Sequence, residues 1–328
     1  MGIDPHERTL QAHRSPALTE PVKRETVVVL AGGTGGAKLA RGMLDLIGAK
    51  RLAVVANTGD DIDIYGAHVS PDPDLISFWL SDLIDERGWG LAGDTFSVMD
   101  ALRDLGVDVW FNLGDRDLAW CIERRRMKDE GLTATEALRV LNERIGMHAR
   151  VLPMCDGAVR TFVNGLPLQE FLIRERGQGP VRDVAFKEDP DAKEGEIRPT
   201  SEVLAALKDA RAVIVGPSNP VISIWPILSV LQEAIEGISA PVVAVSPIVG
   251  GEVLKGPTEA FLSALKHPLS ATGVADFYSQ WDLLDGIVAD EPVPGLPTLE
   301  IDTAMPDARS RARVAEQVLE FAQSLPSS

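Results

Sequence analysis

The sequence is poor in cysteine and histidine, and both shortages exclude classes of protein. Its 328 residues include two cysteines, Cys121 and Cys155, which are not spaced as a C-x-x-C pair. This argues against a disulfide scaffold and is typical of reduced thiols in a cytosolic protein. The five histidines include no H-E-x-x-H motif, and no G-x-S-x-G motif occurs. Neither a zinc protease nor a hydrolase with a serine nucleophile is therefore supported.

Long apolar runs are also absent. The longest runs, such as Val27–Ala31, have the length of a strand and fall well short of the ~18 residues that a membrane-spanning helix needs. The N-terminal segment is polar and contains three prolines, so it lacks the apolar centre of a signal peptide. We expect a cytoplasmic protein without a membrane partner, in which residues 1–25 form a flexible extension.

Positive charge is in short supply. The chain has 32 Lys and Arg against 49 Asp and Glu, which gives a formal net charge of -17. Contacts with nucleic-acid phosphates need clustered Lys and Arg, so we expect no nucleic-acid partner. A small phosphate-bearing ligand then needs local help from backbone amides, a cation or a few basic side chains.

One pattern recurs along the chain, in which a short apolar, β-branched run is followed by a small polar loop. Such runs suit strands that are buried on both faces of a parallel sheet. Helical apolar spacing occurs between them, as at Leu39–Ile47. The pattern predicts an α/β fold with a doubly wound, mostly parallel, Rossmann-like sheet, whose polar loops meet at the carboxyl edge. The five runs are Val27–Leu30, Leu52–Val55, Val109–Phe111, Ala212–Val215 and Val242–Val245.

Residues 131–199 interrupt this alternation. They begin with a predicted helix, Thr133–Ile145, and continue through short segments with the turn signals Asp156-Gly157 and Asn164-Gly165. We predict a smaller inserted α+β subdomain here. Residues 26–130 and 200–328 then form the Rossmann-like core domain.

A glycine-rich loop follows the first run. Gly32-Gly33-Thr34-Gly35-Gly36 comes after a predicted strand and opens a predicted helix. Glycines let the backbone approach a ligand closely, and the helix N-terminus adds about half a positive charge. The loop therefore predicts a phosphate site, with Lys38 adding charge from the first turn. The spacing is that of neither a P-loop nor G-x-G-x-x-G, and a tight turn that needs glycine for geometry alone is the alternative.

Several aspartates follow the second run. Asp60 and Asp61 lie in its loop, and Asp72 and Asp74 lie in Pro71-Asp72-Pro73-Asp74. Magnesium takes oxygen ligands and is usually held by one or two carboxylates together with substrate phosphates. The spacing favours a magnesium site, although an acidic protein also carries many aspartates that bind nothing.

Three further segments have two interpretations each. In Gly114–Leu118, Arg116 either clamps an anion or forms a structural ion pair. In Gly216–Pro220, the amide and hydroxyl groups either bind a ligand or cap a helix. Trp89 either stacks on a ligand ring or belongs to the core.

Taken together and in this order, these segments resemble the 2-phospho-L-lactate transferase family of coenzyme F-420 biosynthesis. Two departures from the family pattern, Leu75 in place of threonine and Trp225 in place of glycine, leave the choice of substrate open. The resemblance covers about residues 26–301. The matching segments are Ala31–Leu39, Asn57–Asp61, Pro71–Asp74, Arg87–Gly90, Leu113–Ala119, Gly216–Leu228 and Ser246–Gly251.

The resemblance implies a reaction. A guanosine-diphosphate-linked donor carries lactate, or a related acid such as enolpyruvate or glycerate, and the acceptor is the deazaflavin Fo. The terminal ribityl hydroxyl of Fo attacks the phosphorus that bears the acid, and GMP leaves. The family uses magnesium and is commonly a homodimer. The alternative is a non-catalytic, nucleotide-sugar-binding regulator of cell-wall metabolism, from a related family that lacks the Gly-Asp-Arg-Asp-Leu-Ala segment.

The resemblance also implies roles for particular residues. The residues expected in the catalytic centre are Asp60, Asp61, Asp115 and Arg116, the last two by ordering the site. The residues expected to bind the substrates are Gly33, Thr34, Gly35, Gly36, Lys38, Asn57, Trp89, Ser218 and Asn219. The expected metal ligands are Asp60 and Asp74, with Asp72 or Asp61 as an alternative ligand or as the acceptor of the hydroxyl proton.

Overall fold

The computed structural model describes residues 24–177, 179–188, 197–253 and 256–326. Nearly all of the extension predicted for residues 1–25 lies outside these ranges. Within them, the chain forms fourteen strands and ten α-helices. None of the described helices is both long and apolar enough to cross a bilayer.

The elements run in chain order as follows. The strands are β1 (Thr26–Ala31), β2 (Leu52–Ala56), β3 (Ile62–Ile64), β4 (Ala67–Val69), β5 (Arg150–Pro153), β6 (Val159–Val163), β7 (Leu166–Pro167), β8 (Val184–Glu188), β9 (Ala210–Val215), β10 (Val242–Val245), β11 (Ile248–Val249), β12 (Glu252–Val253), β13 (Gly286–Ala289) and β14 (Thr298–Glu300). The helices are α1 (Gly33–Ile47), α2 (Pro71–Leu80), α3 (Ser97–Asp104), α4 (Asp115–Asp129), α5 (Ala134–Arg144), α6 (Ser201–Lys208), α7 (Trp225–Glu236), α8 (Thr258–Ala264), α9 (Ala271–Tyr278) and α10 (Ala308–Ser324).

Seven parallel strands form the central sheet, in the order β14-β13-β10-β9-β1-β2-β5. The chain proceeds from β1 to β5 on one side, then returns to β9 beside β1 and proceeds to the opposite edge. The strand order therefore reverses between β1 and β9, which is where ligands bind in doubly wound sheets. The predicted α/β, Rossmann-like fold is confirmed.

Both faces of the sheet are covered, which explains the continuous apolar runs. In β1, Val28 and Leu30 face a core closed by α6, α7, α8 and α9. Val27 and Val29 face a second core closed by α1, α2, α5 and α10. All of these strand residues are fully buried. Burial of both faces removes the polar alternation that a half-exposed strand would show.

The run at Val109–Phe111 was wrongly predicted to be a strand. It forms an irregular segment before α4, and it packs into a third cluster with Met99 and Leu118, beside the β3–β4 hairpin. A short apolar run does not by itself distinguish a buried strand from another buried segment. The loop after it, which contains Asp115, therefore does not follow a strand of the central sheet.

The insertion predicted for residues 131–199 is smaller in the structure. Helix α5 packs against β5, and β5 pairs with β2 as an edge strand of the central sheet. The antiparallel strands β6, β7 and β8 begin only at Val159. A π-helical segment, Glu170–Arg174, follows β7, and Gln169 precedes it near the sheet's carboxyl edge. The division into domains otherwise stays a prediction.

Candidate active site

A cavity of about 360 Å³ opens at the carboxyl ends of β1 and β9. Helix α1 begins at Gly33 directly after β1, so its first amides lie at this cavity. Gly33 has φ +66°, a conformation that glycine adopts without strain. The predicted ligand-binding residues that line the cavity are Gly33, Thr34, Gly35, Lys38, Ser218 and Asn219.

Gly36 does not line the cavity and has a packing role instead. A Cβ atom here would lie 2.6 Å from Ser218 Oγ and 2.7 Å from Ala31 Cβ. The glycine thus lets α1 approach the loop after β9. Gly35 makes a similar approach, because a Cβ there would lie 2.0 Å from the carbonyl oxygen of Pro217. Two of the loop's glycines therefore hold the two walls of the cavity together.

Gly35→Ala is expected to lower the free energy of unfolding by about 1–3 kcal/mol, because the added methyl group must push the loop at Pro217 away. The same displacement should weaken binding of a phosphate-bearing ligand in the cavity, for which GDP, implied by the family resemblance, is the probe. Urea denaturation and calorimetric titration with GDP measure the two effects. Gly237→Ala is the matched control, since Gly237 has an ordinary φ of -83° and its Cβ would come no closer than 3.6 Å to Glu233 O. A Gly35→Ala variant as stable as this control would contradict the close approach.

Two buried aspartates face the same cavity, Asp60 from the loop after β2 and Asp72 from the first turn of α2. Asn57 Nδ2 donates to Asp72 Oδ2 at 3.0 Å and lies 3.5 Å from Asp60 Oδ1. The backbone N–H of Gly33 donates to Asp72 Oδ1 at 2.5 Å, and Gln169 Nε2 donates to Asp60 Oδ2 at 3.0 Å. Amide groups therefore fix both carboxylates side by side.

The charge of this pair is poorly compensated. Burial raises the pKa of Asp72 to about 6. Burial also raises the pKa of Asp60 well above its ordinary value, and the charges of Asp72 and Asp61 add to this shift. The hydrogen bonds described above come to both carboxylates from neutral amide groups. Two adjacent buried carboxylates offer the oxygen ligands that a magnesium ion takes, so Asp60 and Asp72 fit this ion.

Asp74 is set apart from this pair, although the sequence placed it with Asp60. Both of its carboxylate oxygens accept hydrogen bonds from the guanidinium of Arg124, and Trp120 Nε1 donates to Oδ1 at 2.8 Å. Arg124 is itself buried. The charge of Asp74 is thus already balanced by a buried cation, and its role in the structure is an ion pair within the protein.

Asp61 does not line the cavity at the start of α1. Its carboxylate accepts a hydrogen bond from Ser70 Oγ at 2.7 Å and lies 3.2 Å from His68 Nε2. His68 Nδ1 lies 2.6 Å from Asp63 Oδ1 on the opposite strand of the β3–β4 hairpin. Asp61 therefore connects the hairpin to the loop that carries Asp60, and His68 is a supporting residue that the sequence did not indicate.

A second cavity, of about 480 Å³, lies beyond Asp72. It is largely apolar, and its wall includes four aromatic side chains, so it is called the aromatic cavity below. Trp89 lies on it, and the guanidinium of Arg87 stacks on the Trp89 ring at 4.4 Å from the centroid. Asp72 borders both cavities, so the two spaces meet at this carboxylate. The residues around this aromatic cavity that the sequence did not single out include Phe78, Asn112, Gln169 and Ile173.

Asp115 and Arg116 line neither cavity. The carboxylate of Asp115 accepts hydrogen bonds from Thr95 Oγ1 at 2.6 Å and from the N–H of Val98 at 2.9 Å, which holds its pKa below the ordinary value. Arg116 donates to the carbonyl oxygen of Ala92 at 3.1 Å. Both residues tie the segment that follows Trp89 to the start of α4. Their expected role in ordering the site stays a prediction.

The fold and the site together define a class of protein. Its members are doubly wound α/β proteins with a ligand cavity at the point where the strand order reverses. A glycine-rich helix N-terminus and buried carboxylates line this cavity. The family model described as 2-phospho-L-lactate transferase CofD matches residues 27–311. The chain belongs to the 2-phospho-L-lactate transferase family.

Relatives with two different names resemble this chain. A 2-phospho-L-lactate transferase from Methanospirillum hungatei is 33% identical over 304 residues, which cover 89% of this chain and 99% of that protein. A protein named phosphoenolpyruvate transferase, from Thermobifida fusca, is 35% identical over 324 residues, which cover 91% and 98% of the two chains. The solved structure of a UPF0052-family protein from Bacillus halodurans matches with a TM-score of 0.59 at 15% identity, covers 90% of this chain and 99% of that one, and supports the fold alone.

Proposed function

We propose that this protein transfers a phospho-lactyl, phosphoenolpyruvyl or phosphoglyceryl group from a guanosine-diphosphate-linked donor to the deazaflavin Fo, in coenzyme F-420 biosynthesis. The observation that carries this proposal is the junction of two unlike cavities at Asp72. One cavity has the backbone amides and helix N-terminus that suit phosphates, and the other has aromatic walls that suit a flat ring. Family membership supports the same reaction class.

The donor is proposed to occupy the glycine-rich cavity. Its phosphates lie at the start of α1, where the amides after Gly33 and the Lys38 side chain supply positive charge. Asn219 is held by its Oδ1 atom, which accepts hydrogen bonds from the N–H groups of Val221 and Ile222. Its buried Nδ2 has no partner among the described residues. This amide can donate to an oxygen or ring nitrogen of the nucleotide, which supports its proposed binding role.

Magnesium is proposed to be held by Asp60 and Asp72 together with donor phosphate oxygens. A bound ion of this kind neutralises phosphate charge and stabilises the oxygen that leaves. Asn57 and Gln169 orient the two carboxylates through the hydrogen bonds described above. The assignment of Asp74 to this ion, which the aspartate spacing favoured, is not carried into the proposal.

The acceptor is proposed to lie in the aromatic cavity with its terminal hydroxyl at Asp72. An oxygen–phosphorus bond forms between this hydroxyl and the phosphate that bears the acid, and the phosphorus–oxygen bond to GMP breaks. Asp72 borders both cavities and Asp61 borders neither, so Asp72 would face the arriving hydroxyl as a ligand of the ion. The hydroxyl proton is released to solvent as GMP leaves. Phosphoryl transfer relies mainly on positioning and charge neutralisation, so the protein need not form a covalent intermediate.

The test is a reaction with Fo, magnesium and each of the three donors in turn, followed by mass spectrometry of the deazaflavin product and detection of GMP. A phosphodiester product with one donor supports the proposal and identifies the acid. Absence of any product, from folded protein that binds a UDP-sugar and does not bind Fo, would favour the regulator instead. Sedimentation of the same preparation tests the expected homodimer.

A further inference from the structure

Asp117 lies in the first turn of α4 and lines the aromatic cavity. Its backbone N–H donates to Asp94 Oδ2 at 3.0 Å, which fixes this turn of the helix. Its carboxyl group has one hydrogen-bonding contact within the described ranges, a weak one from Cys121 Sγ, 4.0 Å from Oδ1. A carboxyl group is therefore held at an apolar cavity without a strong partner.

Arg124, the neighbouring cation, lowers the pKa of Asp117 through its charge, but its hydrogen bonds to carboxylates go to Asp74 within the described ranges. Burial raises the pKa of Asp117 to about 7, and the charge of Asp74 contributes to the rise. Placing a carboxyl group against apolar walls costs free energy unless it is hydrogen-bonded, and perturbed carboxyl groups in clefts often belong to functional sites. This arrangement therefore suits a ligand that forms a hydrogen bond with the carboxyl group of Asp117.

Three other polar side chains around the cavity have hydrogen-bond partners within the protein. Asp74 pairs with Arg124, Gln169 Nε2 donates to Asp60, and Asn112 Oδ1 accepts from Arg103 at 2.8 Å. Asp117 is thus the carboxyl group of this cavity that is most open to a ligand.

Asp117 also lies away from the reacting end. Asp72 borders both cavities, whereas Asp117 borders the aromatic cavity and not the glycine-rich one. Since the acceptor hydroxyl must reach the donor phosphate at Asp72, Asp117 faces another part of the acceptor. A deazaflavin ring carries an imide N–H, which is a suitable donor for a carboxyl oxygen in either protonation state.

On the basis of the proposed function, we infer that Asp117 is a specificity-determining residue of the acceptor site, which accepts a hydrogen bond from the ring imide N–H of Fo. The hydrogen bond helps to bind the ring at a distance from the reacting hydroxyl. It therefore contributes to recognition of the acceptor and takes no part in the transfer itself.

The experiment compares Asp117→Leu with Asp117→Asn by titration of Fo, followed by deazaflavin fluorescence with GDP and magnesium present. Leucine has a similar size and no acceptor, so the Kd for Fo should rise about 10- to 100-fold. Asparagine keeps an acceptor oxygen and should stay within a few-fold of the wild type. In turnover assays, Asp117→Leu should raise the KM for Fo with little change in kcat. Asp129→Asn, an exposed position on the same helix, is the control, and unchanged GDP binding shows that each variant is folded.

An Fo analogue methylated at the imide nitrogen separates this role from general packing. Wild-type protein should bind the analogue about 10- to 100-fold more weakly than Fo, whereas Asp117→Leu should bind both alike. Equal binding of Fo and the analogue by wild-type protein, or unchanged discrimination in Asp117→Leu, would overturn the inference while the transferase proposal stands. Failure of wild-type protein to bind Fo would remove the proposed function itself. If Asp117→Leu does not fold, equal binding of Fo and the analogue by wild-type protein would still overturn the inference, and Asp117→Asn replaces Asp117→Leu in the comparison.

Discussion

Asp60→Asn is expected to lower turnover about a thousandfold and to weaken the response to magnesium. The neutral amide removes one of the two buried carboxylates that suit the ion, and loss of a catalytic cation costs several kcal/mol of transition-state stabilisation. The asparagine side chain would keep an oxygen for the Gln169 amide, which donates to Asp60 at 3.0 Å in the wild type, so the local structure should persist. Initial rates over a magnesium titration measure the effect.

The same variant is expected to be more stable than the wild type at pH 7 when metal is absent. Burial raises the pKa of Asp60 above its ordinary value of 3.8. Between that value and the raised pKa, the native protein binds more protons than the unfolded chain, so the free energy of unfolding falls as pH rises. Asparagine removes this dependence. The stability difference between the variant and the wild type should therefore shrink towards pH 4, as urea denaturation in EDTA would measure.

Asp63→Asn is the matched control, because Asp63 lies three residues away and its substitution should lower the free energy of unfolding at neutral pH instead of raising it. A hydrogen bond with His68 lowers the pKa of Asp63, so its carboxylate stabilises the fold at neutral pH and loses this effect as pH falls through the lowered pKa. Turnover should change only a few-fold. Unchanged turnover and magnesium response in Asp60→Asn would show that the metal assignment is wrong.

Most of the central sheet follows from the sequence, because burial on both faces gives each strand a continuous apolar run. Four of the five runs became β1, β2, β9 and β10, and the loops after β1, β2 and β9 contribute to one cavity. The exception, Val109–Phe111, is apolar because it packs in a separate cluster and forms a wall of the aromatic cavity. An apolar run indicates that a segment is buried. It does not indicate whether the segment is a strand or an irregular stretch of chain.

Which of the aspartates face the glycine-rich cavity was harder to predict. Asp72 and Asp74 are two residues apart on α2, so their side chains leave the helix about 200° apart. One faces the glycine-rich cavity and the other faces Arg124. Which side of α2 faces the cavity depends on how the helix packs. The segment Pro71–Asp74 does not by itself determine this packing. Gln169 lies in a segment whose approach to the site depends on tertiary structure, so no local motif revealed it. Asp117 lies in Leu113–Ala119, a segment that carries the family resemblance, but the segment does not show which of its residues faces the cavity.

Arg124→Met is expected to lower the free energy of unfolding by about 3–5 kcal/mol, because it leaves Asp74 buried without its cation. The relative exposure of Arg124 is 2% and that of Asp74 is 4%, so water cannot replace the lost partner. Adding Asp74→Asn should restore most of the stability, since the buried charge disappears while an oxygen remains for Trp120 Nε1. Equilibrium denaturation of the two single variants and the double variant measures the coupling between the residues.

Arg126→Met, on the same helix, is the matched control. Arg126 pairs with Glu123 and Glu130 at the surface, and exposed pairs contribute about 0–1 kcal/mol. A loss at Arg124 no larger than this would contradict the buried ion pair. Asp74→Asn alone then decides between the two roles of Asp74. If the carboxylate serves the ion pair, this variant loses stability and keeps its response to magnesium. Loss of the magnesium response at unchanged stability would instead return Asp74 to the metal site, as the spacing of the aspartates first indicated.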